Sequence, residues 1–274
     1  MPPCRLRDLV RVEHSANRQI MNLPPNAKTL GGNPVAIFTC MRFIAKNGKS
    51  TKVMLTIVFD LDGTLVDTAP DLIDALNLIL AREGLPAVPF DTARNLIGSG
   101  ARTLLQRALA AAGRMRTPVE LDRLYAVFVA HYAEHIADRS RPFPQLKTTL
   151  ARLADAGHRL AVCTNKREWL SKRLLETLQL AEPFAAICGQ DTFGAQKPDP
   201  EVFRRTVLRA GGAPTRAIMV GDSKTDVSTA RNANVPVIAV DFGYSDVPIA
   251  TLRPDCIISA FADLPSAIEA LNGS

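Results

Sequence analysis

From residue 143 onward, short apolar runs alternate with segments whose apolar residues recur every three or four positions. A short apolar run rich in branched side chains is typical of a strand buried on both faces, whereas the three-to-four spacing is typical of an amphipathic helix. Because strand and helix alternate repeatedly, the pattern predicts a parallel, doubly wound sheet with right-handed crossovers. The predicted strands are Arg159–Cys163, Ala185–Cys188, Ala217–Val220, Val237–Val240 and Cys256–Ile258, and the predicted helices are Gln145–Ala156, Arg167–Gln179, Pro200–Ala210, Lys224–Asn232 and Ala262–Leu271.

A further apolar run, Leu55–Phe59, lies ahead of this series and predicts the first strand of the same sheet. The four segments that follow it keep the helical spacing, and no strand-like run interrupts them. These predicted helices are Ala69–Arg82, Asp91–Ile97, Ala101–Ala112 and Pro118–Ala137. We therefore predict an α/β fold, a Rossmann-like doubly wound parallel sheet with an inserted α-helical cap domain. The catalytic core would comprise residues 54–67 and 143–274, and the cap residues 68–142.

Residues 1–53 show neither period, and Pro24-Pro25, Gly31-Gly32 and Asn33-Pro34 interrupt them. This segment carries nine basic and two acidic side chains, whereas the rest of the chain carries 24 basic and 25 acidic ones. The formal net charge of +6 therefore belongs to the extension and not to the predicted domain. We predict a poorly ordered basic extension, with a targeting arm or a nucleic-acid tether as the alternative that its charge leaves open. The domain itself is expected to bind no nucleic acid.

At 274 residues, with 47% hydrophobic and 22% charged residues, the chain has an ordinary globular composition, and no apolar run is long enough to span a bilayer. No secretory pattern opens the sequence, and its five scattered cysteines are typical of reduced thiols. We therefore expect a cytoplasmic protein without a membrane partner, either a monomer or a homodimer.

Two acids follow the first predicted strand directly, in the order Asp60, Leu61, Asp62, Gly63. Ionised carboxylates are costly to bury without a partner, and ligands bind at the carboxyl ends of strands in open α/β sheets. The spacing lets both acids approach one site, and Gly63 permits a sharp backbone turn away from it. Because like charges this close repel, either a bound hard cation or a raised pKa on one acid is expected. The alternative is an acidic surface turn.

Three later strand ends also carry polar residues. The hydroxyl of Thr164 and the amide of Asn165 are suited to donate to a phosphate oxygen, although a turn or a helix cap uses the same residues. Lys197 precedes a helix in a segment that prolines stiffen, although a lone lysine is usually solvated. Asp222 is placed to join the two earlier acids. Asp226 either reaches the same site from a helix start or simply complements that helix.

In chain order these four sites resemble the motif series of the haloacid dehalogenase-like hydrolases, whose signature has the form Asp-x-Asp-Gly-Thr. The resemblance covers about residues 54–271 and implies hydrolysis of phosphomonoesters through an aspartyl-phosphate. Asp62 argues against the dehalogenases of this superfamily, whose chemistry dispenses with that acid. The implied roles are nucleophile for Asp60, general acid and base for Asp62, phosphoryl binding for Thr164, Asn165 and Lys197, magnesium binding for Asp60, Asp222 and the backbone carbonyl of Asp62, and an outer supporting position for Asp226.

The predicted cap supplies candidates for substrate contact. The loop Gly98-Ser99-Gly100 exposes backbone donors before a helix and Arg102 adds charge, although helix punctuation alone would explain the two glycines. Together with Asp67-Thr68-Ala69-Pro70-Asp71-Leu72, Glu83-Gly84-Leu85-Pro86 and Thr164-Asn165-Lys166, this loop resembles the bacterial phosphoglycolate phosphatases. That resemblance implies a magnesium-dependent enzyme that converts 2-phosphoglycolate to glycolate and phosphate. A capped phosphatase for another small metabolite, such as a sugar or amino-sugar phosphate, is one alternative, and a non-catalytic phosphate-binding module is another.

Overall fold

The structure, a computed structural model, describes residues 54–94, 97–98 and 100–272. The predicted basic extension, residues 1–53, lies outside the described residues, and so does Ser99 of the predicted cap loop.

A six-stranded parallel sheet forms the centre of the described chain. Its strands are β1 (Thr56–Phe59), β4 (Arg159–Cys163), β5 (Phe184–Cys188), β6 (Ala217–Gly221), β7 (Val237–Val240) and β8 (Cys256–Ile258). Across the sheet they follow the order β5-β4-β1-β6-β7-β8. Strands β4 and β5 lie on one side of β1, and β6, β7 and β8 lie on the other, as a doubly wound sheet requires. The predicted α/β Rossmann-like fold is confirmed, and all six predicted strands are present.

Both faces of the sheet are covered, which explains why its strands read as continuous apolar runs. Side chains of β1 alternate between two apolar clusters, with Ile57 and Phe59 in one and Val58 in the other. All three are fully buried. The first cluster includes residues of the inserted helices, so the insertion packs on the sheet through apolar side chains.

Among the described residues, four helices lie between β1 and β4, namely α1 (Ala69–Arg82), α2 (Phe90–Arg94), α3 (Ala101–Ala111) and α4 (Pro118–Glu134). Helix α4 begins with a reciprocal capping box between Thr117 and Glu120, which satisfies two backbone N–H groups at its start. Five further helices accompany the later strands in the part of the chain that the structure describes, namely α5 (Leu146–Asp155), α6 (Glu168–Thr177), α7 (Pro200–Arg209), α8 (Lys224–Ala233) and α9 (Leu264–Asn272). The predicted start of one helix at Gln145 is wrong, because this residue takes a left-handed conformation (φ 64°) just before α5.

A second, two-stranded sheet lies where the chain leaves β1 for the inserted helices and where it returns. Strand β2 (Val66–Asp67) pairs antiparallel with β3 (Arg141–Pro142). The sequence analysis did not predict this ribbon, because two-residue strands are too short to show a period. Beside it, the buried carboxylate of Asp71 accepts hydrogen bonds from the backbone N–H of Arg139 (3.0 Å) and of Ser140 (2.8 Å). These bonds join the first inserted helix to the returning strand.

Candidate active site

The parallel register brings the predicted site residues to one edge of the sheet. The last residue of β1, Phe59, pairs with Val162 of β4 on one side and with Val220 of β6 on the other. The residues just beyond these strand ends, Asp60 and Asp222 among them, therefore meet at the carboxyl edge. Chain segments far apart in sequence thus supply one site.

Lys197 lies between two acids at this edge. Its Nζ is 2.9 Å from Asp60 Oδ1 and 2.6 Å from Asp226 Oδ1, and all three side chains are buried. The Asn165 side chain fixes the lysine, because it accepts from Lys197 N–H (2.9 Å) and donates to the Lys197 carbonyl (3.1 Å). The Asn165 amide therefore holds the Lys197 backbone through its oxygen and one of its two N–H donors.

Asp60 and Asp222 have pKa values above those of ordinary carboxyl groups. Burial raises the pKa of Asp60 to about 6, and Lys197 opposes part of that rise. Burial also raises the pKa of Asp222 to about 8, helped by the charges of Asp226 and Asp60. For Lys197 burial alone would lower the pKa, but the two carboxylates beside it raise the pKa above its usual value and keep the ammonium charged. Three carboxyl groups thus lie around the single ammonium group of Lys197.

These acids fit a hard divalent cation. Oxygens of Asp60, Asp222 and Asp226 lie within 4.8 Å of one another, and no other group of three potential metal ligands occurs among the described residues. The Asp60 Oδ1 atom is buried without a hydrogen-bond donor in the described part of the chain, since its contact with Lys197 lacks hydrogen-bond geometry. An all-oxygen set with an unsatisfied carboxylate oxygen is the environment that Mg²⁺ prefers.

The Thr64 hydroxyl and the backbone of Tyr244 hold Asp222 in place. Its two carboxylate oxygens accept hydrogen bonds from Thr64 Oγ1 (2.8 Å) and from the backbone N–H of Tyr244 (2.7 Å). Gly63 has φ +84°, and a Cβ atom built on it would lie 2.5 Å from Asp222 Oδ2. Only glycine therefore permits both this turn and the approach of Asp222.

The side chains of Asp226 and Asp62 have different surroundings. Asp226, predicted at an outer supporting position, lies in the carboxylate group, where it binds Lys197 and also caps α8 by accepting from the backbone N–H of Ser223 (3.1 Å). The Asp62 side chain turns away from that group, accepting from Thr68 Oγ1 (2.8 Å) and from Lys166 Nζ (2.8 and 3.1 Å). The predicted cation contact through the Asp62 backbone carbonyl stays a prediction.

A cavity of about 30 Å³ lies between this edge and the inserted helices. Asp60, Asp62 and Thr164 line it from the sheet side, and Gly98 and Gly100 line it from the side of the inserted helices. The Thr164 hydroxyl accepts from the Lys166 backbone N–H (3.2 Å), and its proton has no acceptor among the described residues. Polar groups and an enclosed space thus occur together at the predicted place.

Arg102 does not reach this cavity. Its guanidinium pairs with Asp122 at 2.8 Å on the surface, where the two side chains are 43% and 63% exposed. The interpretation of Arg102 as a substrate contact is therefore withdrawn.

Three residues near the cavity had no predicted role. Lys166 belongs to the run that suggested phosphate binding, and its side chain is 5% exposed against Asp62. Tyr132 on α4 lies beneath its ammonium, with Nζ 4.5 Å from the ring centroid. Tyr244 donates from its hydroxyl to Asp67 (2.5 Å). The lysine was visible as part of a motif, whereas the tyrosines follow from packing between distant segments.

Such a site, built for an anionic ester between a sheet edge and an inserted helical layer, defines the class as a capped α/β phosphohydrolase. The family model for haloacid dehalogenase-like hydrolases matches residues 57–240. The chain belongs to this family, as its motif series predicted.

Curated relatives are similar along most of their length. A phosphoglycolate phosphatase of Mesorhizobium japonicum is 50% identical over 205 residues, which covers 75% of this chain and 90% of the relative. The phosphoglycolate phosphatase of Caulobacter vibrioides is 48% identical over 212 residues, or 77% and 90% of the two chains. A crystal structure described as a predicted phosphoglycolate phosphatase from Haemophilus somnus matches with a TM-score of 0.74 at 33% identity, covering 79% of this chain and 98% of that one. The chain is therefore a phosphoric monoester hydrolase.

Within the part of the chain that the structure describes, none of the helices has both the length and the apolar character needed to cross a bilayer.

Proposed function

We propose that the protein is a magnesium-dependent phosphatase that hydrolyses 2-phosphoglycolate to glycolate and phosphate through an aspartyl-phosphate on Asp60. The observation that carries the proposal is the buried arrangement of Asp60, Lys197 and Asp222 at the sheet edge, where Asp60 lines the cavity together with Asp62. A carboxylate nucleophile, a cation site and a proton carrier are the three parts that this reaction needs.

The first half-reaction transfers the phosphoryl group to the protein. An oxygen of Asp60 attacks phosphorus, a new bond from this oxygen to phosphorus forms, and the bond from phosphorus to the glycolate oxygen breaks. Asp62 gives a proton to the departing alkoxide, so glycolate leaves as a neutral alcohol group. Splitting the hydrolysis in two replaces one difficult step by two easier ones.

The second half-reaction releases phosphate. Asp62, now ionised, takes a proton from a water molecule as that water attacks phosphorus. The bond between phosphorus and Asp60 then breaks, which restores the carboxylate. Asp62 suits both tasks because its carboxylate faces the cavity, where Thr68 and Lys166 hold it in one orientation.

Asp60, Asp222 and the backbone carbonyl of Asp62 would hold the magnesium ion, and Asp226 stands close enough to contribute. When bound, the ion supplies positive charge that offsets the repulsion between the carboxylates and the phosphate. Lys197 adds a fixed positive charge beside Asp60, and the Thr164 hydroxyl offers a donor for a phosphoryl oxygen. Asn165 acts through Lys197 by holding its backbone.

The names of the curated relatives support 2-phosphoglycolate over larger esters. The relatives from Mesorhizobium japonicum and Caulobacter vibrioides carry the name phosphoglycolate phosphatase and match over 90% of their length.

The test is phosphate release from a panel of esters with magnesium present. We expect the highest kcat/KM for 2-phosphoglycolate, ahead of glucose 6-phosphate, glucosamine 6-phosphate and p-nitrophenyl phosphate. A clear preference for either sugar phosphate would replace the proposed substrate. Absence of turnover on every ester would favour a phosphate-binding module instead.

The covalent step has its own test. Asp60→Asn should abolish turnover and remove the phosphoryl adduct that acid quench and mass spectrometry detect in the wild type, because an amide is a poor nucleophile. Asp62→Asn should still form some adduct, but more slowly, because it removes the proton carrier and keeps the nucleophile. Substantial turnover by Asp60→Asn would refute covalent catalysis through this residue.

A further inference from the structure

Tyr132 lines the cavity, and its buried hydroxyl is an unexplained polar group. Tyr132 is 1% exposed, and its hydroxyl has no hydrogen-bond partner among the described residues. Buried polar groups are almost always paired, so an unpaired one next to a catalytic cavity indicates a partner that arrives with the substrate. Burial raises the pKa of Tyr132 to about 12, so the hydroxyl keeps its proton and can donate it.

Lys166 faces the same part of the cavity from the sheet side. Its Nζ lies over the ring of Tyr132, 4.5 Å from the centroid, and contacts both oxygens of Asp62. An ammonium group has three donors, and it can bind a second anion without leaving the first. A cation from the sheet and a hydroxyl from helix α4 therefore lie side by side.

Two other cations, Arg102 and Arg167, are less suitable for binding the substrate. Arg102 is paired with Asp122 on the surface. Arg167 lines the cavity, but its guanidinium lies over the ring of Tyr125 at 5.4 Å, with Nε 3.4 Å from the Tyr125 hydroxyl. Among the cations of the described residues, only Lys166 contacts Asp62, the acid that must reach the leaving oxygen of the substrate.

The position of Asp62 then decides which substrates suit this pair of donors. To protonate the leaving oxygen, Asp62 must lie within hydrogen-bond reach of it. In a phosphate ester of a 2-hydroxy acid, the carboxylate is attached to the carbon that bears this oxygen. A cation in contact with Asp62 is therefore also within reach of such a carboxylate, whereas a more distant anionic group of a sugar phosphate would fall elsewhere.

We propose that Lys166 Nζ and Tyr132 Oη form a carboxylate subsite that selects phosphate esters of 2-hydroxy acids. This inference rests on the proposed function and adds the residues that recognise the acid. A small substrate offers few other groups for binding. The rest of the cavity wall on the helical side is largely apolar, with Leu72, Leu104 and Phe128. The two donors therefore provide most of the selectivity.

The experiment compares 2-phosphoglycolate with ethyl phosphate, which has a methyl group where the substrate has its carboxylate. For each protein the ratio of the two kcat/KM values is measured, and intrinsic differences between the esters cancel when variants are compared with the wild type. Tyr132→Phe should lower this ratio about tenfold, the usual effect of losing a hydrogen bond to a charged group. Its melting temperature should not fall, because the hydroxyl makes no bond in the free protein.

Two further variants complete the test. Lys166→Met should lower the ratio more than Tyr132→Phe, because it removes the charge as well as the donors. Tyr125→Phe is the matched control, since it deletes a hydroxyl from the same helix and the same cavity wall, but one whose partner is Arg167. Its ratio should stay close to that of the wild type.

The outcomes separate this inference from the proposed function. Wild-type protein that hydrolyses other esters but not 2-phosphoglycolate would overturn both. Wild-type selectivity for 2-phosphoglycolate that Tyr132→Phe and Lys166→Met leave unchanged would overturn the subsite alone. Equal losses on both esters, with a lower melting temperature for Tyr132→Phe, would assign Tyr132 a structural role and also refute the subsite.

Discussion

Replacing Lys197 by Met should lower the free energy of unfolding by more than the loss of a surface ion pair would. The Lys197 side chain is 1% exposed and contacts Asp60 at 2.9 Å and Asp226 at 2.6 Å. Met fills a similar volume but carries no charge, so both carboxylates would remain buried without their cation. The perturbation is therefore electrostatic and leaves the packing nearly intact.

The magnitude follows from the burial of the pair. Removing one partner of a buried ion pair costs about 3–5 kcal/mol, because the other charge stays in a poorly solvated place. For a domain of this size, each kcal/mol lowers the melting temperature by about 2–4 °C. A fall of roughly 6–20 °C is expected for Lys197→Met in the presence of a chelator.

The assay is thermal unfolding with chelator present, followed by circular dichroism, with Lys172→Met as the control. Lys172 pairs with Glu168 at 2.5 Å, but these side chains are 44% and 20% exposed. An exposed pair of this kind contributes about 0–1 kcal/mol. The control therefore removes a lysine and an ion pair from the same protein without the burial.

Two results would refute this reasoning. One is a melting temperature for Lys197→Met no lower than that of Lys172→Met. The other concerns the double variant Lys197→Met with Asp226→Asn, which removes both charges of the shorter pair and should recover part of the loss. If the double variant lost the sum of the two single effects, the charge of Asp226 would not be the cause.

Three further predictions follow from the site. Adding Mg²⁺ to chelated protein should raise the melting temperature, because the ion binds the folded carboxylate group and not the unfolded chain, and Asp222→Asn should remove most of that shift. Arg102→Ala should leave kcat/KM for 2-phosphoglycolate within about twofold of the wild type in a steady-state assay, since its exposed pair with Asp122 lies off the cavity; a larger loss would contradict this placement. Gly100→Ala should lower both the melting temperature and kcat/KM, because Gly100 has φ +86° and a Cβ there would lie 3.1 Å from the Asn165 carbonyl oxygen. The resulting strain should cost about 1 kcal/mol or more. Unchanged values of both quantities would contradict this prediction.

The sequence was sufficient for the sheet because its central strands are buried on both faces. Such burial requires uninterrupted apolar runs, of which Ile57–Phe59 is an example. The ribbon of β2 and β3 was not predictable in this way. Its pairing of Val66 with Pro142 depends on how far the inserted helices carry the chain, which local patterns do not record.

For the site, the sequence identified which strand ends carry polar groups, but not how those groups pair. Asp60, Lys197 and Asp222 could be expected together because parallel strands end at one edge. The commitment of the Asn165 amide to the Lys197 backbone could not be expected, because it depends on a loop that brings residues 32 positions apart into contact. The same limit applies to Tyr132, whose position over the cavity depends on the tilt of α4.

Lys166 lies on the sheet side of the proposed subsite, and Tyr132 lies on the inserted helix α4. Substrate selectivity therefore depends on movement of the inserted helices. The cavity of about 30 Å³ holds two or three water molecules, so its walls must separate before 2-phosphoglycolate can enter. Hydrogen bonds of Asp71 with Ser140 and of Tyr244 with Asp67 join the crossing between sheet and helices. Tyr132 contacts Lys166 through the face of its ring, with Nζ 4.5 Å from the centroid. A carboxylate that binds both residues would then stabilise the closed arrangement, whereas an ester without one would not, and the protein would favour its substrate at the closing step as well as at the chemical one.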